Sequence, residues 1–385
     1  MSPIKIAYVS SMLPGGHYSQ SLCRALAQQP INLLVYTDRQ LANLKIKDCG
    51  QVKAVWTKDL RYIFQITWQI IKDQPDIVHV QHEFNMYGGL ITAIFFPLLL
   101  LILKVLRIRT VITIHAVPDR KLIDDQFLKM FFSKPPIVMR PAFIRVGLDF
   151  LYRLIGLFSH QLVVHNRRMK LQLVNQYHLS SAKINVVPPL IEMHRFVPTV
   201  KEKFFLFFGY IVGRKGLEIL IDAFAHFWRR HLDYRLILAG GTIAGQKQTK
   251  QEIVKFIKRK GLTKAISLIG FIEEKDFAQY FLPSQAVLLP AILSVSSSGP
   301  LTHAWSFHKC VLASNIGNYS CDIDNGVNGI LVDNNAWQGI LEKIVYDNRL
   351  VEKIEQGART TAKKRHPQQI GALYYHLYQQ LLNET

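Results

Sequence analysis

Two α/β domains, each built on a parallel sheet, are predicted by three observations on this 385-residue chain. Short apolar runs alternate with longer stretches of helical period, a proline pair interrupts the series near its middle, and the same alternation then starts again. The series opens with a strand at 4–9, a helix at 19–28 and a strand at 31–36, and continues with strands at 77–80, 111–114, 161–164 and 184–187. Pro188 and Pro189 then break any regular element, and the charged stretch Lys201, Glu202, Lys203 precedes the restart. Behind it come a strand at 204–208, a helix at 217–230, a strand at 235–239, a helix at 251–260 and strands at 266–268, 286–289 and 311–313. The stretch 368–382 is helical, with Ile370, Leu373, Tyr374, Leu377, Tyr378 and Leu381 at spacings of three and four, and it needs a surface to cover.

Composition narrows the class. At 49% hydrophobic and 19% charged residues, the chain is no disordered, collagenous or coiled-coil protein. Its net charge is +20, and residues 1–200 carry 24 Lys and Arg against 11 Asp and Glu, which favours an anionic partner docking on the first half. No helix-turn-helix, zinc-ligand spacing or aromatic-basic RNA-binding strand is present, so nucleic acid is not the expected anion. Four cysteines without a CxxC pair suggest neither a disulfide framework nor a cysteine metal site, and a reducing, cytoplasmic compartment is expected. The first apolar run is too short for a secretory leader and reads as a strand.

Three loops carry candidate chemistry. Gly15 and Gly16 follow the first strand, where they serve either a tight turn of positive φ or close approach of backbone to a ligand. In the second half, Gly209 to Gly216 lead from a strand into a helix and set Arg214 and Lys215 beside amides that face outward. Arg214 could clamp phosphate oxygens and Lys215 could supply a point charge to a departing diphosphate; a solvated pair at a helix start is the plain alternative. Ser297, Ser298 and Gly299 precede an apolar helix with Pro300 in its first turn, either as a second phosphate cradle or as an ordinary capped loop. His79, His82 and Glu83 lack a third partner with metal-ligand spacing, so no metal is expected.

In their order these stretches resemble glycosyltransferase family 4. The resemblance rests on the glycine pair, the stretch 75–83 with His82 and Glu83, 111–115 ending in His115, the Gly209–Gly216 loop, Ser297 to Leu301, 311–314, and 325–332. It covers the chain from residue 4 to about 382. It implies a GT-B fold, two Rossmann-like parallel-sheet domains facing across a cleft: residues 1–190 completed by 366–385 on the acceptor side, and 200–365 binding a nucleotide sugar. It further implies transfer with retention of configuration, no metal and no cofactor, the nucleotide sugar being a substrate. Carried over by position, Gly15, Gly16, Gly209, Ser297, Ser298, Gly299 and His303 would meet the donor, His115, Lys215 and Arg214 would take part in transfer, and His82 and Glu83 would face the acceptor. The family has two glutamates separated by seven residues, where this chain has Val295 and His303, and a later glycine and proline where it has His308 and Cys310.

The apolar stretch 90–106 is at the short limit for a membrane span and reads as a helix on the sheet, partly open to lipid. Farther on, Arg145, Asp149 and Arg153 share one stripe of a helix whose other faces are apolar, with Arg140, Phe131 and Phe132 nearby. This pattern suits the headgroup layer of an anionic membrane; a core helix with one wet face is the alternative. The sequence thus predicts a peripheral enzyme on the inner membrane face, moving a sugar to a lipid-linked or envelope polysaccharide acceptor. A catalytically inert subunit that binds a partner transferase or the membrane is the competing expectation.

Overall fold

A computed structural model describes residues 3–12, 17–41, 47–131, 140–194, 196–197, 199–243 and 247–383. The chain divides into two compact units, one comprising Met1–Arg120, Ala142–Leu190 and Arg365–Thr385, the other Lys121–Pro141 and Ile191–Lys364.

The first unit holds a sheet of β1 (Ile4–Val9), β2 (Ile31–Asp38), β3 (Gln51–Trp56), β4 (Ile77–His82), β5 (Arg109–Ile114), β6 (Gln161–Val164) and β7 (Ile184–Val186). Their spatial order is β3-β2-β1-β4-β5-β6-β7, with every pairing parallel. Strands buried on both faces read as mainly apolar runs, which is why β1, with one lysine near its start, and β4, with only His79 between Ile77 and Val80, are plain in the sequence. β3 alternates polar with apolar residues at the sheet's edge and escapes that reading. Helices α1 (His17–Ala27), α2 (Tyr62–Asp73), α3 (Leu90–Ile94) and α4 (Phe96–Val105) belong here. The stretch 90–106 is therefore two short helices joined at Phe95, with Pro97 in the first turn of α4, where its missing N–H has no helical partner to lose. No helix among the described residues is long and apolar enough to cross a membrane.

Helix α5 (Asp125–Phe131) falls within the second unit, while nearly all of α6 (Pro141–Phe158) and the whole of α7 (Arg167–Asn175) return to the first. The second unit's sheet runs β10 (Ile266–Gly270), β9 (Arg235–Ala239), β8 (Phe204–Phe208), β11 (Ala286–Leu289), β12 (Val311–Ser314), β13 (Ile330–Val332), again all parallel. Around it lie α8 (Leu217–Trp228), α9 (Lys247–Arg259), α10 (Phe277–Phe281), α11 (Gly299–Ser306), α12 (Tyr319–Asp322), α13 (Trp337–Tyr346) and α14 (Asn348–Lys364). In each sheet the strand order reverses beside its first strand, between β1 and β4 and between β8 and β11. Loops leaving the carboxyl ends there diverge to opposite faces and leave a crevice.

The last helix, α15 (Pro367–Asn383), closes the first unit, where Ile370, Tyr374, Leu377, Tyr378 and Leu381 share a core with Ile6, Leu22 and Leu26. The contact is close because Gly371 lacks a side chain: a Cβ there would lie 2.6 Å from the Ala25 carbonyl oxygen of α1. Gly371→Val must push the two helices apart, a strain that costs about 1–3 kcal/mol. A lower midpoint in urea denaturation with an unchanged slope is the expected result; an unchanged midpoint contradicts the packing.

Candidate functional site

In the second unit the crevice is walled by the loops after β8 and β11. The chain leaves β8 through Gly209, at a φ of 142° that suits glycine, and a Cβ on Gly240, after β9, would lie 1.8 Å from the Gly209 carbonyl oxygen. Two loops can touch backbone to backbone there only because this side chain is missing. Gly213–Lys215 make one 3-10 turn, and Gly216, at a φ of 60°, turns the chain into α8. The Arg214 carbonyl accepts the Ile292 N–H at 3.0 Å, tying this turn to the loop after β11.

Two cations stand on that turn. The Arg214 guanidinium lies 5.2 Å from the centre of the Phe131 ring, so the phenylalanine expected at a membrane surface covers this arginine instead. Lys215 is half-buried, and loss of water together with the Arg214 charge pushes its ammonium down to about 8; no carboxylate is among the groups acting on it. A partly desolvated lysine whose charged neighbour is another cation is an incomplete ion pair, and an anion completes it. Across the crevice Ser298 caps α11, its Oγ accepting the Leu301 N–H at 3.3 Å and donating to the Tyr319 hydroxyl at 3.3 Å. Gly299 is exposed at the start of that helix, and Ser297 is half-buried just before it.

The positions that depart from the family pattern have structural explanations. Val295 is buried. His303 stands edge-on to two phenylalanine rings, 5.6 Å from Phe208 and 5.1 Å from Phe277. His308 adopts a φ of 55°, the left-handed backbone that a glycine enters freely, and its ring packs 5.2 Å from Phe196. Cys310 is buried at the entrance to β12.

In the first unit Gly15 and Gly16 lie outside the described residues, as does Phe132. His115 follows β5, and both its ring nitrogens are engaged: Nε2 lies 2.7 Å from the Gln81 side chain and Nδ1 lies 3.1 Å from His165 Nε2. Tyr18 stands edge-on to both imidazoles at 5.1 Å. His82 is buried against Phe96, with no hydrogen-bond partner at Nε2, while Glu83 is exposed. Sequence reasoning missed Gln81 and His165. The signal was available: Gln81 shares a strand face with His79 by the period of two, and His165 follows β6 as His115 follows β5. Among the described residues no three His, Cys, Asp or Glu side chains are placed to hold a metal ion.

A pair of parallel sheets of this winding defines the GT-B class of fold. The Anabaena protein HepE, solved with UDP, matches at a TM-score of 0.76 and 15% identity over 98% of this chain and 100% of its own. Sucrose-phosphate synthase from Thermosynechococcus elongatus matches at 0.76 and 15% over 99% and 100%. Residues 192–361 match the family of glycosyl transferases group 1, and residues 15–195 match glycosyltransferase family 4. The chain belongs to these family 4-like glycosyltransferases. The D-inositol 3-phosphate glycosyltransferase of Paenarthrobacter aurescens is 25% identical over 228 residues, 55% of each chain, so the chain spans about half the length of the curated relatives it matches.

Burial lowers His82 and His165 to about 4, and His79 to about 3, against an ordinary value of 6.5. Between pH 6.5 and about 4 the unfolded chain therefore binds protons that the folded chain refuses. Stability is full above 6.5 and falls as the pH drops, by at most ~1.4 kcal/mol per pH unit for each such histidine. Urea denaturation across this range checks it: the His82→Leu variant should show a shallower slope than the wild type, and an identical slope would contradict the burial of a neutral ring.

Proposed function

We propose that the chain is a glycosyltransferase whose second unit holds the diphosphate of a nucleotide sugar in the crevice between the β8 and β11 loops. The observation that carries this is Lys215, half-buried with Arg214 as its charged neighbour. In transfer the bond from the anomeric carbon to the diphosphate oxygen breaks, and charge gathers on the leaving group. Lys215 and Arg214 offset that charge, joined by the amides at Gly209 and at Ser297, Ser298 and Gly299. The acceptor hydroxyl attacks from the face the diphosphate is leaving and gives its proton to a diphosphate oxygen, so configuration is retained without an enzyme nucleophile or a metal. His303 lies close to this donor loop, Gly15 and Gly16 are assigned to the donor and His115 to the sugar, and His82 and Glu83 to the acceptor.

The acceptor is taken to be a lipid-linked or envelope polysaccharide hydroxyl at the inner membrane face, a reading supported by the surface of the first unit. α6 exposes Phe143, Val146, Phe150 and Leu157 on a stripe beside Arg153, with Arg140 exposed just ahead of the helix. α2 adds Phe64 and Trp68, 68% and 71% exposed, and α4, which packs on α2, adds Leu98, Leu101 and Val105. Lys104 of α4 donates to the Leu157 carbonyl at 2.8 Å, joining α4 to α6. Arg145, half-buried, and Asp149, paired with Arg120, sit beside this stripe. Apolar side chains of this number with cations at their edge suit an anionic bilayer surface. The D-inositol 3-phosphate glycosyltransferases among the relatives make a soluble sugar phosphate the other acceptor class to test.

Donor-dependent nucleotide release should fall at least tenfold in Lys215→Ala; undiminished release would remove the phosphate assignment. Stabilisation in a thermal-shift panel of UDP, GDP and ADP sugars names the base, whereas a cooperative melt indifferent to all of them favours the inert-subunit reading that Val295 and His303 motivate. Flotation with anionic liposomes should weaken in a Trp68→Ser/Phe150→Ser double variant and with salt, and indifference to both would place this face against something other than lipid.

A further inference from the structure

Five hydrogen bonds run in line through the first unit, from the backbone after β7 to α15. They join the Val187 carbonyl to His165 Nδ1 at 3.1 Å, His165 Nε2 to His115 Nδ1 at 3.1 Å, and His115 Nε2 to the Gln81 carboxamide at 2.7 Å. As placed, the carboxamide turns Oε1 to His115 and Nε2 to His79 Nε2, the latter at 2.9 Å; the Thr113 hydroxyl lies 2.8 Å from that same His79 nitrogen, and His79 Nδ1 meets the Tyr378 hydroxyl at 2.6 Å. All five groups beyond Val187 are side chains packed in or beside the core, so each donor must find an acceptor within the line or, at His79 Nε2, in the Thr113 hydroxyl.

The carbonyl sets the direction. It only accepts, so His165 carries a proton on Nδ1, and a neutral His165 then presents a bare Nε2. That nitrogen accepts from His115 Nδ1–H, which leaves His115 Nε2 bare and in need of a donor. Gln81 supplies one when its amide nitrogen faces His115; its oxygen then accepts from His79 Nε2–H, and His79 Nδ1 accepts from the Tyr378 hydroxyl. The two ends of a carboxamide exchange places by a half turn without moving anything else. With the amide oxygen toward His115 instead, His115 would donate from Nε2, its bare Nδ1 would face His165, and His165 would need protons on both nitrogens. The charged or ionisable groups bearing on the two rings are His79, His82 and the cation Arg365, with no carboxylate to hold such a buried imidazolium.

We infer that His165 and Gln81 are positioning residues that hold His115 as a neutral ring protonated at Nδ1, with Nε2 an acceptor. The consequence for transfer rests on the assignment of His115 to the sugar: the ring offers a sugar hydroxyl an acceptor nitrogen and no acid. The C-terminal helix enters the same line through Tyr378.

The test is a long-range proton–nitrogen correlation spectrum of the full chain labelled with ¹⁵N-histidine at pH 7, His115 being identified by the signal lost in His115→Gln. One protonated nitrogen, Nδ1, is expected on His115 and on His165, and Nε2–H on His79. An Nε2–H tautomer of His115, or a doubly protonated ring on either residue, overturns the inference, and the nitrogen–nitrogen coupling across the His165–His115 hydrogen bond identifies the two rings in the wild type should that variant not fold. Gln81→Glu replaces the donor by a pure acceptor, so His115 should gain a proton at Nε2 and kcat for nucleotide release should fall about tenfold with the donor KM within twofold. A shifted tautomer with kcat unchanged leaves the line standing and removes His115 from the transfer site.

Discussion

A sheet whose strands all run one way delivers every carboxyl end to the same edge. The rest of this molecule follows from that constraint. Parallel strands need helices on both faces, so their residues are mostly apolar on both sides, and polar chemistry gathers toward the edge where the strands stop, with His79 and Gln81 of β4 carrying it into the sheet. His115, His165, Arg214 and Ser298 all stand just beyond or shortly after such an end, on loops whose backbones are held by glycines or by hydrogen bonds between neighbouring loops. The same constraint makes the two units alike in winding while leaving their loops free to differ.

The two edges differ in charge. In the second unit two cations are neighbours, and Lys215 is partly desolvated beside Arg214. In the first, a neutral cluster stands at the edge: the imidazoles of His79, His115 and His165 and a carboxamide exchange hydrogen bonds, and tyrosines from α1 and α15 pack around them. A neutral network of this kind tolerates burial because each member is satisfied by the next, whereas a second proton on His165 would set its Nε2–H against the Nδ1–H of His115.

Much of the fold was legible because buried parallel strands are short apolar runs and because Pro188 and Pro189 interrupt them. The two strands that escaped, β3 and β13, lie at sheet edges, and β3 carries Gln51 and Lys53, so its sequence looks like a loop. The 90–106 stretch reads as one helix, yet two aromatic residues and Pro97 divide it. In the site, the Arg214–Lys215 turn was visible because cations and glycines at a strand-to-helix junction have few other uses. Gln81 and His165 were not, since their meaning depends on which residues lie opposite them across β4, β5 and β6, a long-range fact that spacing within one strand does not carry. Phe131 was read from its neighbours as a surface residue, whereas tertiary packing sets it on Arg214.

The central claim is that Lys215 meets the donor's diphosphate. Its ammonium, brought down to about 8, is half deprotonated at that pH, and a bound diphosphate would restore the charge. Calorimetric titration of UDP-glucose at pH 8, in two buffers of different ionisation enthalpy, measures protons taken up on binding. Net proton uptake is expected on binding, absent in Lys215→Met. Binding without proton uptake, or uptake that survives the substitution, would contradict it.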